Sequence, residues 1–95
     1  MAAYVVGEIE VTDAATYEEY RKQVLAVVTK YGGRFIVRGG KVEPLEGDWS
    51  PKRLVVLEFP SLEQAQKWYR SPEYAPLIAL RKRASRGKLI LVEGA

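Results

Sequence analysis

The chain has 95 residues, 47% hydrophobic and 28% charged, with a formal net charge of +3, the composition of a single globular domain rather than a disordered or low-complexity segment. It contains no Cys and no His, which excludes disulfides, thiolate nucleophiles, Cys-held zinc and iron–sulfur clusters, imidazole bases and Ser-His-Asp triads. Acid–base chemistry is left to Glu, Asp, Tyr or Lys, any metal site would need oxygen ligands, and no cofactor is expected.

Tyr4-Val5-Val6-Gly7-Glu8-Ile9-Glu10-Val11 is a β-branched run of strand length closed by Thr12-Asp13. From Thr16 to Tyr31 the apolar positions Tyr17, Tyr20, Val24, Val27, Val28 and Tyr31 follow helical spacing with one buried face. Asp13 or Thr16 is placed to cap this helix, and Gly32-Gly33 to end it. Arg34–Arg38 reads as a second strand, with a bend or bulge at Gly39-Gly40 before Lys41-Val42-Glu43 resumes an extended course. Arg53–Phe59 is the third strand, stopped by Pro60, and Ser61-Leu62-Glu63-Gln64 is a capping box opening the second helix. A second cap at Ser71, with Pro72 in the first helical position, predicts a break in that helix and a restart running to about Ser85. Lys88–Glu93 is the fourth strand.

No apolar run approaches the roughly 20 residues of a membrane-spanning helix, and Met1-Ala2-Ala3-Tyr4 lacks the basic and apolar regions of a signal peptide, so a cytoplasmic protein without a membrane partner is expected. Arg81, Lys82, Arg83, Arg86 and Lys88 form the densest basic cluster. They fall at and just beyond the end of a predicted helix, where cations complement the macrodipole, and no aromatic residue is interleaved among them, so nucleic acid is not the expected partner.

The order β-α-β-β-α-β predicts an α+β ferredoxin-like sandwich, one domain over residues 1–95, with both helices on one face of a four-stranded antiparallel sheet. The other face is uncovered, yet on strands one, three and four neither alternating set is consistently polar: Val5, Ile9 and Val11 oppose Tyr4 and Val6, Val55 and Leu57 oppose Leu54 and Val56, and Leu89 and Leu91 oppose Ile90 and Val92. Leaving those side chains in water forgoes roughly 1.5–3 kcal/mol each, which points to a homodimer with its sheets facing.

Tyr4-Val5-Val6-Gly7-Glu8-Ile9, Phe35-Ile36-Val37-Arg38-Gly39-Gly40, Leu45-Glu46-Gly47-Asp48-Trp49, Arg53–Pro60 and Trp68-Tyr69-Arg70-Ser71-Pro72-Glu73-Tyr74 closely resemble the DUF1330 family over essentially the whole chain. The resemblance implies a dimeric α/β barrel, whose superfamily includes cofactor-independent monooxygenases, muconolactone isomerases and haem-degrading enzymes. Fold analogy does not carry function, and the absence of His weakens the analogy to the haem-degrading relatives.

Strand parity suggests a site. If Tyr4 and Val6 face a partner, Glu8 does too; Leu54 and Val56 bring Glu58 to the same face, and strand-two parity adds Arg34, Ile36 and Arg38. Buried charges must be paired or solvated. Glu8, Glu58 and Arg38 therefore form either an ion-pair network or a pocket between sheet and partner, in which Arg38 clamps a small anion and a desolvated Glu8 or Glu58 acts as base. Tyr17, Tyr20 and Tyr31 read first as core aromatics, with Tyr20 a candidate substrate contact; Trp68 and Tyr74 flank the helix break as a candidate pocket mouth. Two function classes follow: a cofactor-independent isomerase or monooxygenase-like enzyme acting on a small polar or anionic molecule, or a non-catalytic dimeric ligand-binding or stress-associated module.

Overall fold

The computed structural model describes all 95 residues. Its elements are β1 (Ala3–Val11), α1 (Ala14–Lys30), β2 (Arg34–Arg38), β3 (Leu54–Phe59), α2 (Leu62–Tyr69), α3 (Ala75–Ala84) and β4 (Ser85–Glu93). The strands form one antiparallel sheet in the order β2-β3-β1-β4, the ferredoxin-like arrangement that the sequence predicts.

Local chemistry sets the helix ends. Asp13 caps α1 by accepting from the Thr16 amide at 3.2 Å and the Thr16 hydroxyl at 2.7 Å. At the other end Gly32 takes φ +80°, a left-handed conformation that few other residues hold without strain. Gly33 follows because a Cβ there would strike the Phe59 ring. Ser61 caps α2 through the Gln64 amide at 3.1 Å. The predicted helix break is present, but Ser71 does not cap the next helix: its hydroxyl accepts from the Tyr74 amide and donates to the Trp68 carbonyl, closing a turn between the helices. Helix α3 begins at Ala75, with a proline in its first two positions. It passes without a loop into β4, which starts at Ser85, three residues earlier than the sequence suggests. Residues 41–43 form no strand.

The core lies between the helices and one sheet face. Val5, Ile9, Val55, Leu57 and Phe59 form the floor; Tyr17, Tyr20, Val24 and Val28 of α1, Ala65 and Trp68 of α2, and Leu77 and Ala84 of α3 form the roof. Trp68 stacks on Tyr74 with centroids 4.3 Å apart and meets Phe59 at 5.2 Å. The opposite sheet face has no helix. On it Ile90 is 62% exposed and Val92 46%, beside half-buried Val6, Leu54 and Val56. No helix is long and apolar enough to cross a membrane.

One irregularity determines where the functional side chains go. In the β2–β3 ladder Arg34 pairs with Glu58 and Phe35 with Leu57, but the register then shifts, so that Val37 pairs with Val56 and Arg38 with Val55. Ile36 is the extra residue of a β-bulge, and the alternation of faces resets across it. The expected grouping of Arg34, Ile36 and Arg38 on one face is therefore incorrect. The bulge lies inside β2 and not at Gly39-Gly40, and it moves Arg38 to the helix-covered face.

Candidate functional site

The bulge divides the predicted site residues between the two faces of the sheet. On the open face Glu58 accepts from Arg34 Nε at 2.8 Å and from the Tyr4 hydroxyl at 3.2 Å. Arg34 supplies the cation that the sequence reading assigned to Arg38. Its hydrogen bond is the main reason why the Glu58 carboxyl titrates below the usual range, contrary to the expected desolvated base. Glu8 lies along the same face, opposite Lys88 in the β1–β4 ladder, with the Trp49 indole 3.5 Å away. Further along β1, Glu10 is paired with Lys52 at 2.9 Å and Arg86 at 3.6 Å.

The other predicted residues converge on the helix side. Tyr20, Arg38, Trp68 and Tyr74 line a cavity of about 30 Å³ between the helices and the sheet, together with Tyr17, Arg21, Arg53 and Arg81 and an apolar floor. No Asp, Glu or His is among the lining residues. The Tyr20 and Tyr74 hydroxyls are 2.8 Å apart in the core. Burial above all pushes both phenols upward, so they remain protonated at physiological pH rather than acting as bases; one donates to the other, which leaves the pair one hydroxyl proton for a further acceptor.

Arg81 is the residue that sequence reasoning missed. It is 6% exposed, no carboxylate lies within ion-pair distance of it, and its Nε has no hydrogen-bond partner. The signal was its spacing: with Leu77 and Ala84 it falls on the buried stripe of α3, whereas Lys82 and Arg83 face solvent. Arg53 repeats the pattern, with an unpaired buried Nε and its guanidinium 5.7 Å from the Tyr17 ring centroid. Arg38 sits 4.2 Å over the Phe35 ring. Its pKa is lowered, first by partial burial and then by the like charges of Arg21 and Arg53. The Trp68 indole N–H is also buried without a partner. Buried donors without acceptors are rare in native proteins because each carries a desolvation cost. Here three such donors, two of them on guanidinium groups, belong to residues lining one cavity that has four arginines in all, an arrangement chemically complementary to an anion. No three carboxylates lie close enough together to hold a metal ion.

The model of DUF1330, a domain of unknown function, matches residues 2–95. The chain belongs to the DUF1330 family. None of the curated proteins compared with this DUF1330 domain matches it. Among solved structures, a protein of unknown function from Rhodopseudomonas palustris superposes with a TM-score of 0.77 at 18% identity, covering 99% of this chain and 82% of that one. SnoaB, a cofactor-independent oxygenase from Streptomyces nogalater, gives 0.67 at 13% identity, covering 99% and 93%. A putative antibiotic biosynthesis monooxygenase from Nitrosomonas europaea gives 0.60 at 13% identity, covering 99% and 98%. At these identities the likeness shows a shared fold.

Proposed function

We infer that this DUF1330 domain binds a small organic anion in the helix-side pocket and converts it without a cofactor, working as a homodimer through its open sheet face. One observation carries the reading: Arg81 is buried at the cavity with no carboxylate and an unpaired Nε. Retaining such a group lowers stability unless a bound anion compensates it. Arg38, Arg53, the Tyr20–Tyr74 pair and the Trp68 N–H supply further donors. Preorganised donors of this kind hold a substrate anion and stabilise negative charge that develops on it during reaction. The shared fold with a cofactor-independent oxygenase is compatible with chemistry in which the substrate anion itself is the reactive species. The exposed Ile90 and Val92 support the face-to-face dimer, with Glu8 and Glu58 belonging to that seam.

A second reading, a binding module without catalysis, is favoured by one feature: the cavity contains no carboxylate or imidazole to act as base. The test is a thermal-shift series with small carboxylates against sodium chloride at matched ionic strength, on wild type and Arg38→Gln, followed by turnover assays on every ligand that binds. Carboxylate-specific stabilisation that Arg38→Gln weakens by roughly 10-fold or more in affinity supports the pocket. Stabilisation that chloride reproduces, or that the variant retains in full, overturns it. Binding without turnover selects the second reading.

A further inference from the structure

We propose that the loop from Lys41 to Ser50 is an interface element that packs on a second copy of the chain, with Trp49 as its anchor. This rests on the face-to-face dimer above and adds to it a contact outside the sheet. The loop joins β2 to β3 and owes little to its own protomer. Residues 41–50 form no helix or strand, and no backbone hydrogen bond ties them to the rest of the chain: the Gly39 N–H donates to the Leu54 carbonyl, and contact resumes at Arg53, whose carbonyl accepts from Ile9. A connection of this length without structure of its own is uncommon in a small domain unless it has a function. Its large apolar side chains point outward, Leu45 being 89% and Trp49 58% exposed.

Trp49 lies where the open sheet face ends. Its indole N–H donates to Glu8 at 3.5 Å, and Glu8 stands between Leu54 and Lys88 in the sheet. The ring therefore continues the apolar band of Val6, Leu54, Val56, Ile90 and Val92. That band is too small alone. With strands about 4.8 Å apart and a rise of about 3.3 Å per residue, the four strands cover a plan area of roughly 500 Å². Ion pairs occupy both ends of it, Arg34 with Glu58 at one and Arg86 with Glu10 at the other. A stable pair of proteins buries about 800 Å² on each partner. A tryptophan contributes up to about 150–250 Å² when covered, so Trp49 and Leu45 together supply most of the difference. Charge favours a further copy of this chain as the occupant. Glu43, Glu46 and Asp48 make the loop acidic against Lys41 alone, and none of the three carboxylates has a cation within ion-pair distance in its own protomer. The whole chain carries +3, so the surface outside the loop is more basic still. A second copy thus offers the loop both an apolar band and a surplus of cations.

The experiment follows Trp49 directly. Trp68, the other tryptophan, is 1% exposed, so acrylamide quenching of the fluorescence reports on Trp49. Wild type is measured over a dilution series in which light scattering follows the mass. The quenchable component should fall as dimer forms, along the same concentration curve. Trp49→Ala, at a site exposed in the protomer, should keep its far-UV circular dichroism and weaken the dimer roughly 10-fold to 100-fold, the loss of a tryptophan anchor. Quenching needs no variant, so it decides the matter even if Trp49→Ala does not fold. A dimer in which Trp49 stays as quenchable as in the monomer overturns the contact and leaves the sheet-to-sheet seam standing; so does a folded Trp49→Ala that dimerises with wild-type affinity. A chain that is monomeric throughout the series overturns the loop contact together with the dimer beneath it.

Discussion

Replacing Arg81 by methionine separates a ligand-binding arginine from a structural one, because the two roles predict opposite changes in stability. In the ligand-free protein the guanidinium is 6% exposed, without a carboxylate partner, and with its Nε unsatisfied. An unsatisfied buried donor costs about 1–3 kcal/mol, and the uncompensated charge adds to that. Methionine has a similar unbranched reach, fills irregular space and removes both penalties. Against this stands the loss of the guanidinium contact with the Tyr74 hydroxyl, about 1 kcal/mol for a single hydrogen bond. The net expectation for Arg81→Met is a gain of about 1 kcal/mol, which in a domain of this length raises Tm by about 4–8 °C. Urea and thermal unfolding at one fixed protein concentration measure it, and concentration must be held constant because dimerisation would couple to the midpoint. A small carboxylate should then protect wild type but not the variant. A loss of more than about 1 kcal/mol, with no carboxylate protecting wild type, would show that Arg81 supports the core and would refute the ligand argument.

Val56→Lys puts a charge in the middle of the open face, opposite Val6 on β1. Light scattering at micromolar concentration should give twice the protomer mass of 10.7 kDa for wild type and the protomer mass for the variant, and a variant that stays dimeric at wild-type stability would overturn the seam. Glu73, in the turn between α2 and α3, accepts from the Lys30 ammonium and from the Tyr31 hydroxyl at 2.8 Å, and these bonds, Lys30 first, lower its carboxyl to about 2. A depressed folded-state pKa contributes stability above the unfolded value of 4.5, and that contribution is lost as pH falls from 4.5 towards about 2. Glu73→Gln should therefore lower the melting temperature at pH 7 and reduce the fall between pH 5 and 2; an acid limb as steep as wild type's would exclude Glu73 as its source.

The element order was legible because each element carries its own period and punctuation. Tyr17, Tyr20, Val24 and Val28 mark one helix face at helical spacing, and all four are buried. Pro60-Ser61 and Ser71-Pro72 mark the ends of chain segments by backbone chemistry that needs no tertiary context. The burial of Tyr20 and Trp68 was legible for the same reason, since both fall on the inward faces of their helices, whereas Tyr74, buried just as fully, lies in the turn between α2 and α3. The cationic contacts were not. Strand parity extends correctly only while the ladder is regular, and nothing in Arg34-Phe35-Ile36-Val37-Arg38 announces that Ile36 will be left out of the pairing. Arg81 was hidden by its neighbours: in a run of Arg81-Lys82-Arg83 the charge pattern suggests one solvated cluster, and only the helical phase set by Leu77 distinguishes the buried member.

The same bulge decides which face of the sheet carries Arg38. On a regular β2, Arg38 would join Arg34 near Glu58, the open face would carry an extra cation, and the helix side would lose a guanidinium from its mouth. With Ile36 unpaired, the open face keeps a nearly balanced set of charges, Glu58 with Arg34 and Glu10 with Lys52, each partnered and so compatible with close approach of an apolar surface. The helix side receives Arg38 instead, beside Arg53 and Arg81, none of which has a carboxylate within ion-pair distance. Paired charge suits a seam, where an unmatched ion would be buried against protein with nothing to neutralise it. Unpaired charge suits a cavity, where a diffusible anion can neutralise it and is recognised by doing so. A single inserted residue thereby moves one cation, Arg38, from the open face to the helix side.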